Sequence, residues 1–157
     1  MVDLNKVLEL VNAMNREKVE YITFGAIALW AHGIVRATED ADFFVAPDQD
    51  NIERLKRALR SVWDDPNIDE ISAEELMGDY PAVRYGPPDI ELYFDFLTRL
   101  GDAYSFDSLQ SEMTEIEGVP IRVVTPAQLY QMKRNTVRPK DRVDAEMLRQ
   151  EFSLSEE

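Results

Sequence analysis

Asp40 and Asp42 are separated by one alanine at the entrance to an apolar run, "ADFFVA". On a strand, alternate side chains share a face, so the two carboxylates point the same way, with backbones about 6–7 Å apart. Two hard oxygen ligands at that spacing suit Mg²⁺ or Mn²⁺, ions that commonly bind substrate phosphates as well. Without a cation the carboxylates repel, and one holds its proton more tightly. A third carboxylate on a neighbouring strand would complete a two-metal site for phosphoryl or nucleotidyl transfer. Taken alone, D-x-D at a strand entrance is more often solvated surface than ligand, so its surroundings decide.

Upstream, a strand runs into Gly25-Ala26 and then a helix start. A glycine there lets backbone N–H groups approach a phosphate, and a helix N-terminus favours negative charge. Arg36 lies in the loop before Asp40, and its guanidinium fork suits a phosphate.

The elements that must position these residues follow from periodicity and punctuation. Residues 3–17 repeat apolar positions at helical spacing through Leu4, Val7, Leu8, Val11 and Met14. "VEYITF" (19–24) and "ADFFVA" (41–46) read as strands, the second stopped by Pro47; between them "AIALWAH" reads as a short helix closed by Gly33. "NIERLKRALRSVW" predicts a helix. Ser72 and Glu75 suggest a capping box for another. "PAVRYG" and "IELYFDFL" read as a hairpin closed by a tight "GPPD" turn, and "SFDSLQSEM" as a brief helix. "TEIEGVPIRVV" holds one or two strands around Gly118. Thr125 as N-cap with Pro126 at the first position predicts a helix, and Pro139 opens a last helix through Glu151. The tail "SLSEE" is expected to fray. The order suits an α+β or α/β fold, with a small mixed sheet, in a single domain over 1–157: a core of about 19–124 and C-terminal helices over 125–151.

Composition narrows the function. The chain has 157 residues, 45% hydrophobic, no cysteine and a net charge of −14. Thiolate metal sites, disulfides and cysteine nucleophiles are excluded. Such charge repels polyanions at long range, but bases dominate "KRNTVRPKDR" (133–142), where a phosphate-bearing ligand would go. The N-terminal stretch "MVDLNKVLELV" lacks a basic n-region, and no apolar run reaches the roughly 20 residues of a membrane span. The expectation is a cytoplasmic protein with no membrane contact.

Strand, Gly25-Ala26, helix, a 13-residue gap and then Asp40-Ala41-Asp42-Phe43 resembles the core motif of the DNA polymerase β-like nucleotidyltransferase superfamily, hG[GS] followed by Dh[DE]h. Gly33, Arg36, Thr38, Asp40 and Asp42 resemble more closely the G-x-x-R-x-T-x-D-h-D phrase of its AbiEii-type branch. Leu129, Lys133, Arg138, Lys140, Asp141, Asp144 and Leu148 resemble the branch's C-terminal helical segment, so the likeness spans about 19–150. It implies Mg²⁺-dependent (or Mn²⁺-dependent) transfer of a nucleoside monophosphate from an NTP to a hydroxyl, and for many members a toxin–antitoxin or phage-defence role with a partner protein. Gly25, Ala26, Arg36, Thr38, Lys133 and Lys140 become nucleotide-binding candidates; Asp40 and Asp42 become catalytic and metal-binding. Ala26 departs from the motif, which has glycine or serine there: its N–H survives, but no hydroxyl reaches the phosphate.

The third carboxylate belongs on "PDIELYFDFL". With Phe94 and Phe96 facing the core, Asp95 lies between them, desolvated unless paired or bound to metal. It also resembles the family's hDhh strand. Glu91 is the second choice and Asp89 the third. Lys133, Arg138 and Lys140 face a plainer reading as solvated bases that offset Asp141 and Asp144. His32 reads as a cap or packing residue. The acceptor is open: an RNA or tRNA end, a protein hydroxyl or a small molecule. A different class of function on the same fold is a weakly active or inactive nucleotide-binding, antitoxin-like interaction partner, which Ala26 and the acidic surface favour.

Overall fold

Asp3 starts the first helix, its carboxylate accepting from the Asn5 and Lys6 amides at 3.1 and 3.4 Å, and α1 runs Leu4–Arg16. The computed structural model describes residues 3–134, 136 and 138–154. The chain continues through β1 (Tyr21–Phe24), α2 (Gly25–Ala31), β2 (Asp40–Val45), α3 (Gln49–Val62) and α4 (Ala73–Met77). Next come β3 (Ala82–Tyr85) and β4 (Tyr93–Leu97), then the two-residue strands β5 (Arg99–Leu100) and β6 (Tyr104–Ser105). A hairpin of β7 (Ser111–Ile116) and β8 (Val119–Val124) leads to α5 (Pro126–Arg134) and α6 (Pro139–Glu151).

Six strands form one mixed sheet in the order β3-β4-β2-β1-β8-β7. The outer pairs are antiparallel hairpins and β1–β2 is antiparallel, whereas β2–β4 and β1–β8 are parallel. The β2–β4 pairing sets Asp42 opposite Asp95. Neighbours Phe43 and Phe44 point to opposite faces, and both are fully buried, so both faces of the central sheet are covered. Phe43, Phe94 and Phe96 stack within 5.8–6.5 Å on one face, and Phe24 meets Phe44 at 4.7 Å on the other. Helix α1 packs on α3 and β8, α2 on β1 and β2, and α5 on α6. Among the described residues, no helix is long and apolar enough to cross a membrane.

The mixed α/β architecture matches the expectation, and α5 and α6 begin at the predicted prolines. Thr125 Oγ1 caps α5 by accepting from the Gln128 amide at 3.1 Å. Three local expectations fail. "SFDSLQSEM" forms only a 3₁₀ turn at Phe106–Ser108 before β7 starts, because Ser105 and Ser108 cap each other while residues from Ser111 on pair with β8. The "GPPD" turn is not tight: residues 86–92 link β3 to β4, since Pro87 and Pro88 have no N–H to close the ladder. The Ser72 box is half made; Ser72 Oγ accepts from the Glu75 amide at 3.1 Å, without a reciprocal bond. The expected fraying of the tail falls mostly on residues 155–157, outside the described residues.

Candidate active site

Where β1 meets α2, Gly25 has φ +68°, a conformation that L side chains avoid. The close approach is as important as the backbone. A Cβ on Gly25 would collide with the Asp42 carboxylate. Gly25 is therefore the floor on which Asp42 rests.

Asp40 and Asp42 stand on one face of β2. Thr38 fixes the strand entrance: its hydroxyl accepts from the Asp40 amide and donates to the Asp40 carbonyl, both at 3.1 Å. Asp95 comes in on β4 beside Asp42. All three aspartates line one cavity of about 460 Å³, with Gly25, Ala26, Arg36 and Thr38. Lys133 and Lys140 line the same cavity from α5 and α6. The three first-choice aspartates and the six nucleotide-binding candidates are thus on the walls of a single cavity. Asp89 and Glu91 are exposed in the loop before β4 and do not line it.

The electrostatics are strained. Burial pushes the Asp42 carboxyl up to about 7, the adjacent Asp95 and then Asp40 add to the rise, and Arg84 offsets part of it. Arg84 was not singled out in the sequence. It lies opposite Asp95 in the β3–β4 register. Its guanidinium donates Nε to Asp95 Oδ1 at 2.9 Å and Nη2 to Oδ2 at 3.0 Å. Nη2 is also 3.5 Å from Asp40 Oδ2. The same group lies over the Tyr93 ring, 5.0 Å from its centroid. The hydrogen bond to Asp95 and its charge hold Arg84 firmly protonated.

The far wall is a second charge network. Asp144 is almost fully buried. It accepts from Arg36 Nε at 2.5 Å and from Lys133 Nζ at 3.2 Å. Lys133 also reaches Asp141 at 3.2 Å, and Thr136 Oγ1 donates to Asp141 at 3.0 Å. Arg36 and Lys133 are therefore paired within the protein, which is the plainer of the two readings of Lys133. Arg138 and Lys140 are exposed at the cavity mouth. His32 caps α2, with Nε2 2.8 Å from the Val124 carbonyl, and is remote from the aspartates in role.

Hard carboxylate oxygens from two adjacent strands, over a glycine with no Cβ, are a donor set that fits a divalent oxygen-seeking ion. Among the described residues, no three acids already form a closed metal cluster. Asp95 and Asp40 are turned onto Arg84 instead.

The sequence profile of the nucleotidyl transferase AbiEii toxin, a type IV toxin–antitoxin system family, matches residues 24–155. No curated protein sequence gives a significant match. Among solved structures, the fold is similar to a Thermotoga maritima protein described as a candidate nucleotidyltransferase, TM1012, with a TM-score of 0.55, 15% identity, and coverage of 98% of this chain and 96% of that one. It is also similar to ANT(2″)-Ia solved with adenylyl-2″-tobramycin (TM-score 0.56, 12% identity, 93% of this chain and 87% of that one). The solution structure of ANT(2″)-Ia agrees, with a TM-score of 0.57 and 14% identity over 97% of this chain and 86% of that one.

Proposed function

The chain belongs to the nucleotidyl transferase AbiEii toxin family, and from that premise we propose that it moves a nucleoside monophosphate from an NTP to a hydroxyl acceptor, using Asp40, Asp42 and Asp95 with Mg²⁺ or Mn²⁺. The observation that carries this reading is the parallel β2–β4 pairing, which puts Asp95 beside Asp42 in the cavity that Gly25 floors. Bound there, a divalent ion would neutralise triphosphate charge and favour the deprotonated acceptor.

The chain's own groups do the rest. Asp40 and Asp42 supply the oxygen ligands. Asp95 accepts the proton of the acceptor hydroxyl, placed at hydrogen-bond reach. Gly25 makes room for the Asp42 carboxylate beside the triphosphate, and the first turn of α2, including Ala26, has N–H groups without intrahelical partners. Arg138 and Lys140 at the mouth attract the nucleotide, while Arg36 and Lys133 brace the far wall and add positive charge near the departing pyrophosphate. Thr38 holds the backbone of Asp40 in place. The partner in this reading is an antitoxin protein, and the protein works in the cytoplasm.

The test is labelling. Purified protein, Mg²⁺ and each α-labelled NTP in turn are incubated with total RNA and with soluble protein. Label should appear in one acceptor class with wild type and vanish with Asp42→Asn. A thermal shift with Mg²⁺ and an NTP, but no label in any acceptor, would favour the antitoxin-like nucleotide binder. At 100-fold over Kd, binding should stabilise by about 2.7 kcal/mol.

A further inference from the structure

Arg84 carries no signal in the sequence, and its environment is unlike that of an ordinary surface arginine. It sits on β3, the outermost strand of the sheet, with its side chain about half exposed at 53%. Yet both terminal contacts of its fork go to Asp95, a carboxylate that is only 20% exposed, and a third reaches Asp40. Bidentate arginine–carboxylate pairing occupies both oxygens at once. The two acids that Arg84 holds are two of the three that the proposed reaction requires. Its charge therefore stands where a divalent ion's charge would act.

The surroundings let it leave. A second open cavity of about 480 Å³ flanks the first and shares Asp42, Arg84 and Asp95 with it. Tyr93 is exposed and supports the guanidinium by its ring face, a contact that an arginine can slide along. Among the described residues, no backbone group or fully buried side chain anchors the fork, whose acceptors are Asp95 and Asp40.

We propose that Arg84 is a built-in cation that holds Asp95 and Asp40 in the nucleotide-free protein and that a divalent ion must displace before either acid can act. This rests on the nucleotidyltransferase reading of the three aspartates. It makes Arg84 a positioning residue with two consequences. The acid cluster stays assembled without metal, because one positive charge offsets repulsion among three carboxylates. Metal binding becomes an exchange of one cation for another, so Asp95 is masked until the ion arrives.

The experiment measures Mn²⁺ binding without nucleotide, by titration calorimetry and by the electron paramagnetic resonance signal of free Mn²⁺. Wild type is compared with Arg84→Gln, Arg84→Lys, Asp42→Asn and the control Arg60→Gln, on α3, which pairs with Asp69 and lines neither cavity. Arg84→Gln should bind Mn²⁺ about tenfold more tightly, the size of effect expected from removing one adjacent competing charge. Arg84→Lys should fall between, and Arg60→Gln should match wild type. Unchanged or weaker binding by Arg84→Gln, with Asp42→Asn still abolishing it, would overturn the role of Arg84 and leave the aspartate site standing. Absence of Mn²⁺ binding in wild type and Arg84→Gln alike would overturn both. If Arg84→Gln does not fold, the wild-type chain gives the answer by NMR: Mg²⁺ should move the Arg84 Nε–H resonance, assigned with Arg84→Lys, to that of a solvated guanidinium. A resonance unmoved at saturating Mg²⁺ would overturn the proposal.

Discussion

Asp42 on β2 and Asp95 on β4 are direct neighbours across a parallel strand pair, although 53 positions separate them in the chain. Parallel neighbours need a long crossover, here the segment from α3 through β3. Two carboxylates side by side in a partly dry cleft are unfavourable without a cation, and the proposed reaction places its divalent ion at this pairing.

The first consequence is a pH dependence. The folded-state pKa of Asp42 is raised from the usual 3.8 to about 7, with burial the main cause. The fold thus favours the protonated carboxyl. Its contribution is fully present below about pH 4 and is lost as pH rises through about 7. In EDTA at pH 8, Asp42→Asn should therefore melt above wild type, by about 2 kcal/mol or more, roughly 4–8 °C. The gap should narrow as pH falls below about 7 and close only near pH 4. Melting curves across pH check this, and equal Tm values at pH 8 would contradict it.

Gly25 gives a coupled pair. Gly25→Ala forces a side chain into a left-handed conformation and into the Asp42 carboxylate. The backbone alone should cost roughly 1–2 kcal/mol. Adding Asp42→Ala removes the collision, so the double variant should lose less than the sum of the singles. Urea denaturation of all three variants measures that coupling.

Asp144 holds the far wall. Its carboxylate is 1% exposed and neutralises both Arg36 and Lys133. Asp144→Ala takes the carboxylate from Arg36 and leaves Lys133 with Asp141 alone, and should cost about 3–5 kcal/mol. Asp141→Ala leaves Lys133 its bond to Asp144 and should cost clearly less. Denaturant midpoints separate the two.

Much of this was readable because glycines, prolines and caps punctuate the chain. Gly25, Pro47, Thr125-Pro126 and Pro139 mark the ends of elements that the structure contains. The face shared by Asp40 and Asp42 followed from strand alternation. Arg84 did not follow, because its meaning depends on hairpin register. A four-residue "GPPD" turn would set Arg84 against Glu91; the observed seven-residue connection, 86–92, sets it against Asp95. Likewise "SFDSLQSEM" has local helix-start chemistry at Ser105, but the long ladder with β8 overrides it. Non-local pairing decided both cases, and no short window of sequence contains it.

The central claim is that Asp95, with Asp40 and Asp42, carries nucleotidyl transfer. The most direct measurement is the rate of α-phosphate label transfer by wild type, Asp95→Asn, Glu91→Gln and Asp89→Asn, each verified as folded by circular dichroism. The account predicts at least about a hundredfold loss for Asp95→Asn and near wild-type rates for the two loop variants. Full transfer by Asp95→Asn, or a loss confined to Glu91→Gln or Asp89→Asn, would contradict it.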